Sequence, residues 1–566
     1  MRRSFLAIAL CAAIAAPIQA ANGPKGTPTF DPKSISSDIR VLSSDAFEGR
    51  GPATAGETKT VDWLIAQLKA GGLKPGGTMK NGKRGWTQAV PLLRSEIKGP
   101  IMASSLTQGG QAYPHAEQRV SMPLAQGEQI AIRAALDGSK QVDIHDAPLV
   151  FVGYGVKAPE RHWDDFKGIE LRGKIMVVLV NDPDFETGHG DFGGKAMTYY
   201  GRWTYKLEEG ARQGALGVLV VHETAPASYG WATVKNSNTN TMFDVVRDHP
   251  KDTHPQLEGW IQRDVAVDLF KRAGLDFDAL KKQAQTRDFK PVELKGEQFS
   301  AKYAVDSKVI TSHNVIAMVP GRTNPDEMVM YSAHWDHLGI GQPDARGDRI
   351  YNGAVDNASG VAGVLALARA FAKAKPAPQR SLGFLFVTAE EKGLLGSEYY
   401  ASKPVYPLGK TVGDINIDGM NMYGPTRDFS ISGSAKLDLL DDLIATAKNW
   451  NMTYSPDSRP EAGSFFRSDH FSFAKRGVPA ISLDSGDDLI DGGVAAAKKL
   501  QEDYTRNRYH QPADQWEASW PVTGAARDLQ VAYALGWQLA NSREWPNWSR
   551  DSEFRAARDK SAKDRK

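Results

Sequence analysis

The chain has 566 residues, of which 41% are hydrophobic and 24% charged, with a formal net charge of +2. The length exceeds one ordinary core and predicts roughly three to four domain-sized units, while the composition excludes a disordered or collagen-like chain. So small a net charge leaves no electrostatic footprint for nucleic acid or an anionic membrane.

The first twenty residues read as a secretory signal. Arg2 and Arg3 form the positive start, Phe5 to Ala16 the short apolar run, and Ala20 or Ala21 the small cleavage residue, with Ile18 larger than is usual there. A membrane anchor is the competing reading, but about a dozen apolar residues fall short of the ~20 needed to span a bilayer. No later stretch reads as a membrane span. Removing Arg2 and Arg3 takes Lys+Arg from 69 to 67, against 67 Asp+Glu, so the mature chain is formally neutral. Cys11, the only cysteine, falls inside the signal, which removes nucleophilic thiol chemistry from the mature protein. Lipid attachment at Cys11 is the alternative, and bulky Leu10 argues against it. An exported, cysteine-free chain fits the bacterial periplasm or medium.

From Ser36 to Gly72 the pattern is helical, interrupted by a loop over Leu42 to Gly56; Val61, Leu64, Ile65 and Leu68 recur at helical spacing. Between about Ala147 and Glu223 short β runs alternate with glycine, clearest at Pro148–Gly153, Lys174–Val180 and Ala215–Val221. Thr224 to Ser300 is polar and shows no chemistry. Strands then alternate with helices: strands over Val315–Val319, Met328–Ala333, Leu382–Thr388, Val412–Ile417 and Val478–Leu483, and helices over Val361–Phe371, Leu437–Trp450 and Ala525–Leu539. This alternation predicts an α/β fold, a mostly parallel, doubly wound sheet with helices on both faces. The expected organisation is a signal over 1–20, an N-terminal part of the catalytic domain over 21–140, an inserted β-rich domain over 141–300, the main catalytic domain over 301–548, and a solvated, charged tail over 549–566.

Acids and histidines gather where such a sheet binds ligands, at the carboxyl ends of strands. His334, Asp336 and His337 follow one strand, Glu390 and Glu391 a second and Asp418 a third, while Asp356 precedes a helix. Imidazole and carboxylate donors suit zinc, with manganese or cobalt as substitutes. A two-metal site needs one carboxylate shared between the ions and a separate base for the attacking water. Glu390 and Glu391 can divide ligand and base between them, provided that the pair lies on the turn after its strand, since strand neighbours face opposite ways.

Six ordered segments resemble the co-catalytic zinc aminopeptidase family: S-A-H-W-D-H-L-G (Ser332–Gly339), N-G-A-V-D-N-A-S-G (Asn352–Gly360), T-A-E-E-K-G-L-L-G-S (Thr388–Ser397), N-I-D-G-M (Asn416–Met420), R-S-D-H-F-S-F (Arg467–Phe473) and Y-H-Q-P-A-D (Tyr509–Asp514). L-S-S-D-A-F-E-G-R-G-P-A-T-A-G-E (Leu42–Glu57) is similar to the opening segment of bacterial members. The resemblance implies two zinc ions bridged by Asp356, with Glu391 and His510 completing one site and His334 and Asp418 the other. It further implies Glu390 as general base, Asp336 as the carboxylate orienting His334, and N-terminal peptide bonds as substrate. Carboxypeptidases, other amide hydrolases, single-metal glutaminyl cyclases and non-catalytic, receptor-like relatives are the alternatives. F-V-G-Y-G-V (Phe151–Val156), L-R-G-K-I-M-V-V (Leu171–Val178) and E-G-A-R-Q-G-A-L-G-V-L-V-V (Glu209–Val221) resemble the protease-associated domain that many members carry as an insertion.

Other residues have plainer readings. His337 is expected to hydrogen-bond or pack rather than bind metal. Asp469, His470 and Arg467 divide between pocket and structural roles, with a substrate carbonyl or carboxylate as Arg467's functional target. Tyr454 is weighed as an oxyanion donor. His115, His145, His162, His189, His222, His249 and His254 show no paired metal spacing, and Trp163, Trp203 and Trp231 read as packing residues.

Overall fold

The computed structural model describes residues 26–108 and 119–565. The expected signal over 1–20, Cys11 and His115 lie outside the described residues.

The chain enters through two helices. In α1 (Pro32–Leu42) Asp31 caps the start by accepting from the Lys33 amide, Pro32 occupies the first turn, and Ile35, Ile39 and Leu42 recur on one buried face. Helix α2 (Ala55–Ala70) buries Leu64 and Leu68 in the same core. After a two-residue strand, Lys74–Pro75, the long strand β1 (Thr87–Gln108) joins the same mixed sheet, 16-stranded among the described residues. Its middle-region strands are β2 (Gln141–Phe151), β3 (Ile175–Leu179), β4 (Gly217–His222) and β5 (Leu257–Gln262), with helix α3 (Trp203–Arg212) between β3 and β4. A long strand, β6 (Val292–Val319), joins this region to the last part of the chain. There follow β7 (Asn324–His334), α4 (Gly360–Lys373), β8 (Arg380–Val387), β9 (Thr411–Ile417), β10 (Ala480–Ser485) and α5 (Thr523–Asn541).

Strands β10, β9, β7 and β8 lie side by side in parallel, and β6 runs antiparallel beside β8. Every residue of β8 and β9 is buried, as is β7 from Glu327 to His334, because helices and loops cover both faces of a parallel sheet. The largest core packs α1, α2, α4 and α5 against this part of the sheet.

The packing places the division of the chain differently from the boundaries expected at 140 and 300. Leu124, Ile130, Ile132 and Ala135 already belong to the second core, with β2, β3 and β4, and residue 300 falls inside the continuous strand β6. The tail is charged and largely exposed, as expected, but it is anchored at two points: Arg558 is 1% exposed and donates to the carbonyls of Thr411, Val412 and Pro546, and Phe554 is buried beside Trp548. A buried guanidinium satisfied by carbonyls docks a segment whose composition alone reads as water-facing. No described helix is long and apolar enough to cross a membrane.

Candidate metal centre

The parallel strands deliver their acids and histidines to one sheet edge. β7 ends at His334, β9 ends at Ile417 just before Asp418, and β8 is followed by a one-turn 3-10 segment, Glu390–Lys392. Ala389 has φ 54°, a left-handed turn that breaks the strand so that Glu390 and Glu391 both leave its face. Asp356 lies on the turn Ala354–Ser359 ahead of α4.

Asp356 occupies the centre. Its Oδ1 is 3.3 Å from His334 Nε2, and that nitrogen is 3.0 Å from Asp418 Oδ1. Its Oδ2 is 3.1 Å from His510 Nε2, which is also 3.1 Å from Glu391 Oε2. Two donor sets therefore share one carboxylate, one oxygen turned to each. Among the described residues two groups are compact enough for an ion: His334, Asp356 and Asp418, and His337, Asp356 and Glu391.

His337 is the residue whose sequence reading understates its position. It is fully buried, and its Nδ1 lies 2.6 Å from Glu391 Oε1. Gly353, at φ 55°, makes room for it: a Cβ there would lie 2.6 Å from His337 Cδ2 and 2.2 Å from the Asp356 carbonyl oxygen. Asp336 also differs in detail. His334 Nδ1 meets the Asp336 backbone carbonyl at 3.1 Å, while the carboxylate stands 3.7 Å away and accepts from the Glu390 amide at 3.1 Å. Asp336 thus ties the Glu390 turn to the His334 loop.

Two residues that the sequence reading left without a role brace the loops of His334 and Asp356. Arg50, 1% exposed, donates to the carbonyls of Trp335, Leu42, Asn352 and Gly353. Asp514 accepts from the amides of Val355 and Asp356. Each lies inside a quoted motif, and only the fold shows what it holds.

Electrostatics follow from this crowding. Burial pushes the Glu390 carboxyl well above the usual range, with Asp418 and Glu391 adding to it and His334 opposing. Burial also acts on Glu391, but His337 and His510 beside it bring that carboxyl down to about 2. Although burial opposes it, His510 is raised to about 10 by Asp356 and Glu391, and His334 is raised well above its usual value by Asp418, Glu390 and Asp356.

A cavity of about 260 Å³ opens on this cluster, lined by Asp356, Glu390, Asp418, Arg467, Tyr504 and Tyr509 among others. Tyr454 is not in that lining and packs on Phe429 instead. Tyr509 stacks on His510 at 3.9 Å. His470 is fully buried against Phe465, and burial pushes it down to about 3, a neutral packing residue. Asp469 is buried behind the site, where burial raises it to about 7.

Comparison with known proteins bears on the same segment. Residues 314–534 match the sequence model of Peptidase family M28. Over 211 residues the chain is 30% identical to leupeptin-inactivating enzyme 1 of Streptomyces exfoliatus, covering 36% of this chain and 44% of that protein. Over 200 residues it is 29% identical to leucine aminopeptidase 2 of Trichophyton equinum, covering 32% and 35%. The chain thus spans less than half the length of these curated relatives. An aminopeptidase from Aneurinibacillus sp. strain AM-1 aligns over 92% of this chain and 96% of its own, at 19% identity and a TM-score of 0.48. The segment that carries the shared carboxylate thus lies wholly within the stretch, residues 314–534, that matches Peptidase family M28.

Proposed function

We propose that the chain is an exported aminopeptidase that hydrolyses N-terminal peptide bonds with two zinc ions and Glu390 as general base. The observation that carries the reading is Asp356, whose two carboxylate oxygens each meet a separate set of donors. Two imidazoles and three carboxylates fit zinc, with manganese or cobalt as substitutes. His334 and Asp418 would hold one ion, Glu391 and His510 the other, and Asp356 both. When bound, such ions polarise the scissile carbonyl and lower the pKa of water toward ~7.

The chain's own residues supply the proton traffic and the positioning. Glu390, on the cavity wall, takes a proton from the attacking water and returns it to the leaving amine. Its raised affinity for a proton suits it to both steps. Asp336 fixes the Glu390 backbone. Asp356, Glu390 and Asp418 make the cavity floor acidic, which draws in a substrate ammonium. Export rests on the signal-like residues 1–20, with periplasm or medium as destination. The middle region is read as a protease-associated domain that narrows access to the cleft.

The test is hydrolysis of leucine p-nitroanilide by the zinc-loaded protein, before and after chelation. We expect activity to vanish with the chelator and return with zinc. Failure of the loaded protein to cleave any amino-acyl anilide or peptide overturns the reading.

A further inference from the structure

Glu57 closes the opening segment Leu42–Glu57 and is a buried acid that stands outside both metal-sized groups. Three donors converge on its carboxylate. The Ala53 amide lies 2.5 Å from Oε2, Ser312 Oγ 2.6 Å from the same oxygen, and His313 Nδ1 2.8 Å from Oε1. An acid in the first turn of α2 suits the helix end, and the Ala53 bond serves that end. The other two bonds reach β6, 255 and 256 residues away in the chain.

Through β6 they lead to the Glu390 turn. Ser312 Oγ also lies 2.6 Å from Thr388 Oγ1, and both residues are fully buried. A hydroxyl has one proton to give, and a carboxylate can only accept. Ser312 donates to Glu57, which leaves Thr388 as the donor to Ser312. The acid thus sets the direction of the whole chain, from Thr388 through Ser312 to Glu57. The backbone of Thr388 is held as well: its amide donates to Asn314 Oδ1 at 3.0 Å, and its carbonyl accepts from the Gly396 amide at 2.9 Å.

The next residue explains why the hold is needed. Ala389 is buried at φ 54°, in the left-handed region that a side chain disfavours. Such a conformation persists only where its surroundings enforce it. Glu390 follows at once. On the other branch, His313 accepts at its carbonyl from the Trp335 indole at 2.9 Å, beside His334.

We propose that Glu57 is a positioning residue for Glu390, acting through the Ser312 and Thr388 hydroxyls to fix the turn after β8. This deepens the proposed function and rests on Glu390 being the base. Release of the turn moves the Glu390 carboxylate from the water it activates, and so lowers turnover more than substrate binding.

The experiment measures kcat, KM and zinc content of the full, zinc-loaded chain on leucine p-nitroanilide. Glu57→Met and Thr388→Val each break the chain, and kcat should fall about tenfold or more in both. KM should stay within about twofold, and zinc content should not change. Thr388→Ser restores the hydroxyl and should recover most of the loss. Glu57→Gln should recover part, since its oxygen can still accept from Ala53 and Ser312 while its amide faces the other His313 tautomer. The double variant Glu57→Met/Thr388→Val should be no worse than its poorer parent, because both act on one chain. Unchanged kcat, losses that multiply in the double variant, or zinc lost in step with kcat overturns the proposal. Where Glu57→Met does not fold, Thr388→Val and Thr388→Ser decide, and a loss that serine does not recover overturns it. If the unaltered protein cleaves nothing, the function reading fails instead, and hydrogen exchange over residues 388–396 decides the positioning. Faster exchange there in Thr388→Val than in Thr388→Ser upholds it, and equal exchange overturns it.

Discussion

Arg50 Nε donates to the carbonyl oxygen of Trp335 at 2.9 Å, at the residue that separates His334 from Asp336. The same guanidinium holds the carbonyls of Asn352 and Gly353 at 2.6 and 2.8 Å, just ahead of Asp356. One buried cation thus fixes the two loops that carry His334 and Asp356. Burial lowers it to about 10, partly offset by Asp514, Asp356, Asp336 and Glu391. Arg50→Met should leave several buried carbonyls unpaired and cost on the order of 3 kcal/mol or more. The loss should appear both in denaturant unfolding and as weaker zinc binding. Arg50→Lys should recover less than half of either, because a single ammonium cannot reach all four carbonyls. Unchanged zinc affinity in Arg50→Met would show that the loops hold their shape without it.

The adjacent glutamates should separate by mutation. Glu390→Gln keeps size and removes the basic oxygen, so zinc content should persist while kcat falls by about 10²–10⁴. Glu391→Gln should instead lower zinc content, since Glu391 meets His510 and is near Asp356. Metal analysis alongside kinetics checks both; the reverse pattern would exchange the two roles.

Ion binding should release protons. The carboxylates that raise His510 to about 10 and His334 well above its usual value also attract a dication, and imidazole binds metal only when neutral. Zinc affinity should therefore rise with pH from 6 to 8. Calorimetry in buffers of different ionisation enthalpy should register the released protons. Asp356→Ala should weaken both ions, and His510→Ala mainly one; a pH-independent affinity would contradict the proton assignment.

Stability should carry a separate pH signature from the middle region. His254 lies 2.7 Å from Glu258 and 3.0 Å from Asp244, each of which also meets an arginine, Arg133 and Arg247. Burial works against its charge, but the two acids raise it from 6.5 to about 9. A raised folded value means the stabilisation is fully present below the unfolded pKa and is lost as pH rises through about 9. Unfolding free energy should fall by at most about 3 kcal/mol across that window. His254→Asn should flatten it, and an identical slope in the variant would place the effect elsewhere.

The half that holds the His334–Asp356 cluster was legible because its signals are local. Apolar runs of strand length alternate with helical periodicity from Val315 to Leu539, and the acids fall directly after the strands. Strand β6 was recognised only from Val315, although it begins at Val292. Its first half alternates buried and exposed positions, with Lys295, Lys302 and Asp306 facing water, and so reads as polar. Arg50 and Arg558 were missed for another reason. Each is buried by partners distant in sequence, 285 residues away for Arg50 and Trp335. A guanidinium satisfied by carbonyls leaves no charge pattern in the sequence.

The final prediction is a requirement for a free N-terminal amine. Asp356, Glu390 and Asp418 all face the cavity, and Asp336 and Glu391 stand behind them. An ammonium paired with one of these acids would set the first peptide bond against the metal cluster and supply proximity. Acetylation removes the charge and a donor, and losing one partner of a buried charged pair costs on the order of 2–5 kcal/mol. Hydrolysis of leucine p-nitroanilide should therefore exceed that of its N-acetyl form by about 30-fold or more, from the low end of that range. A dipeptide pair sharpens the comparison, because a carboxypeptidase would favour a carboxylate past the scissile bond yet would accept N-acetyl-Leu-Gly. Free Leu-Gly cleaved far faster than N-acetyl-Leu-Gly would identify a short-peptide aminopeptidase. Equal cleavage of the two would move the chain to the carboxypeptidase or general amide hydrolase reading.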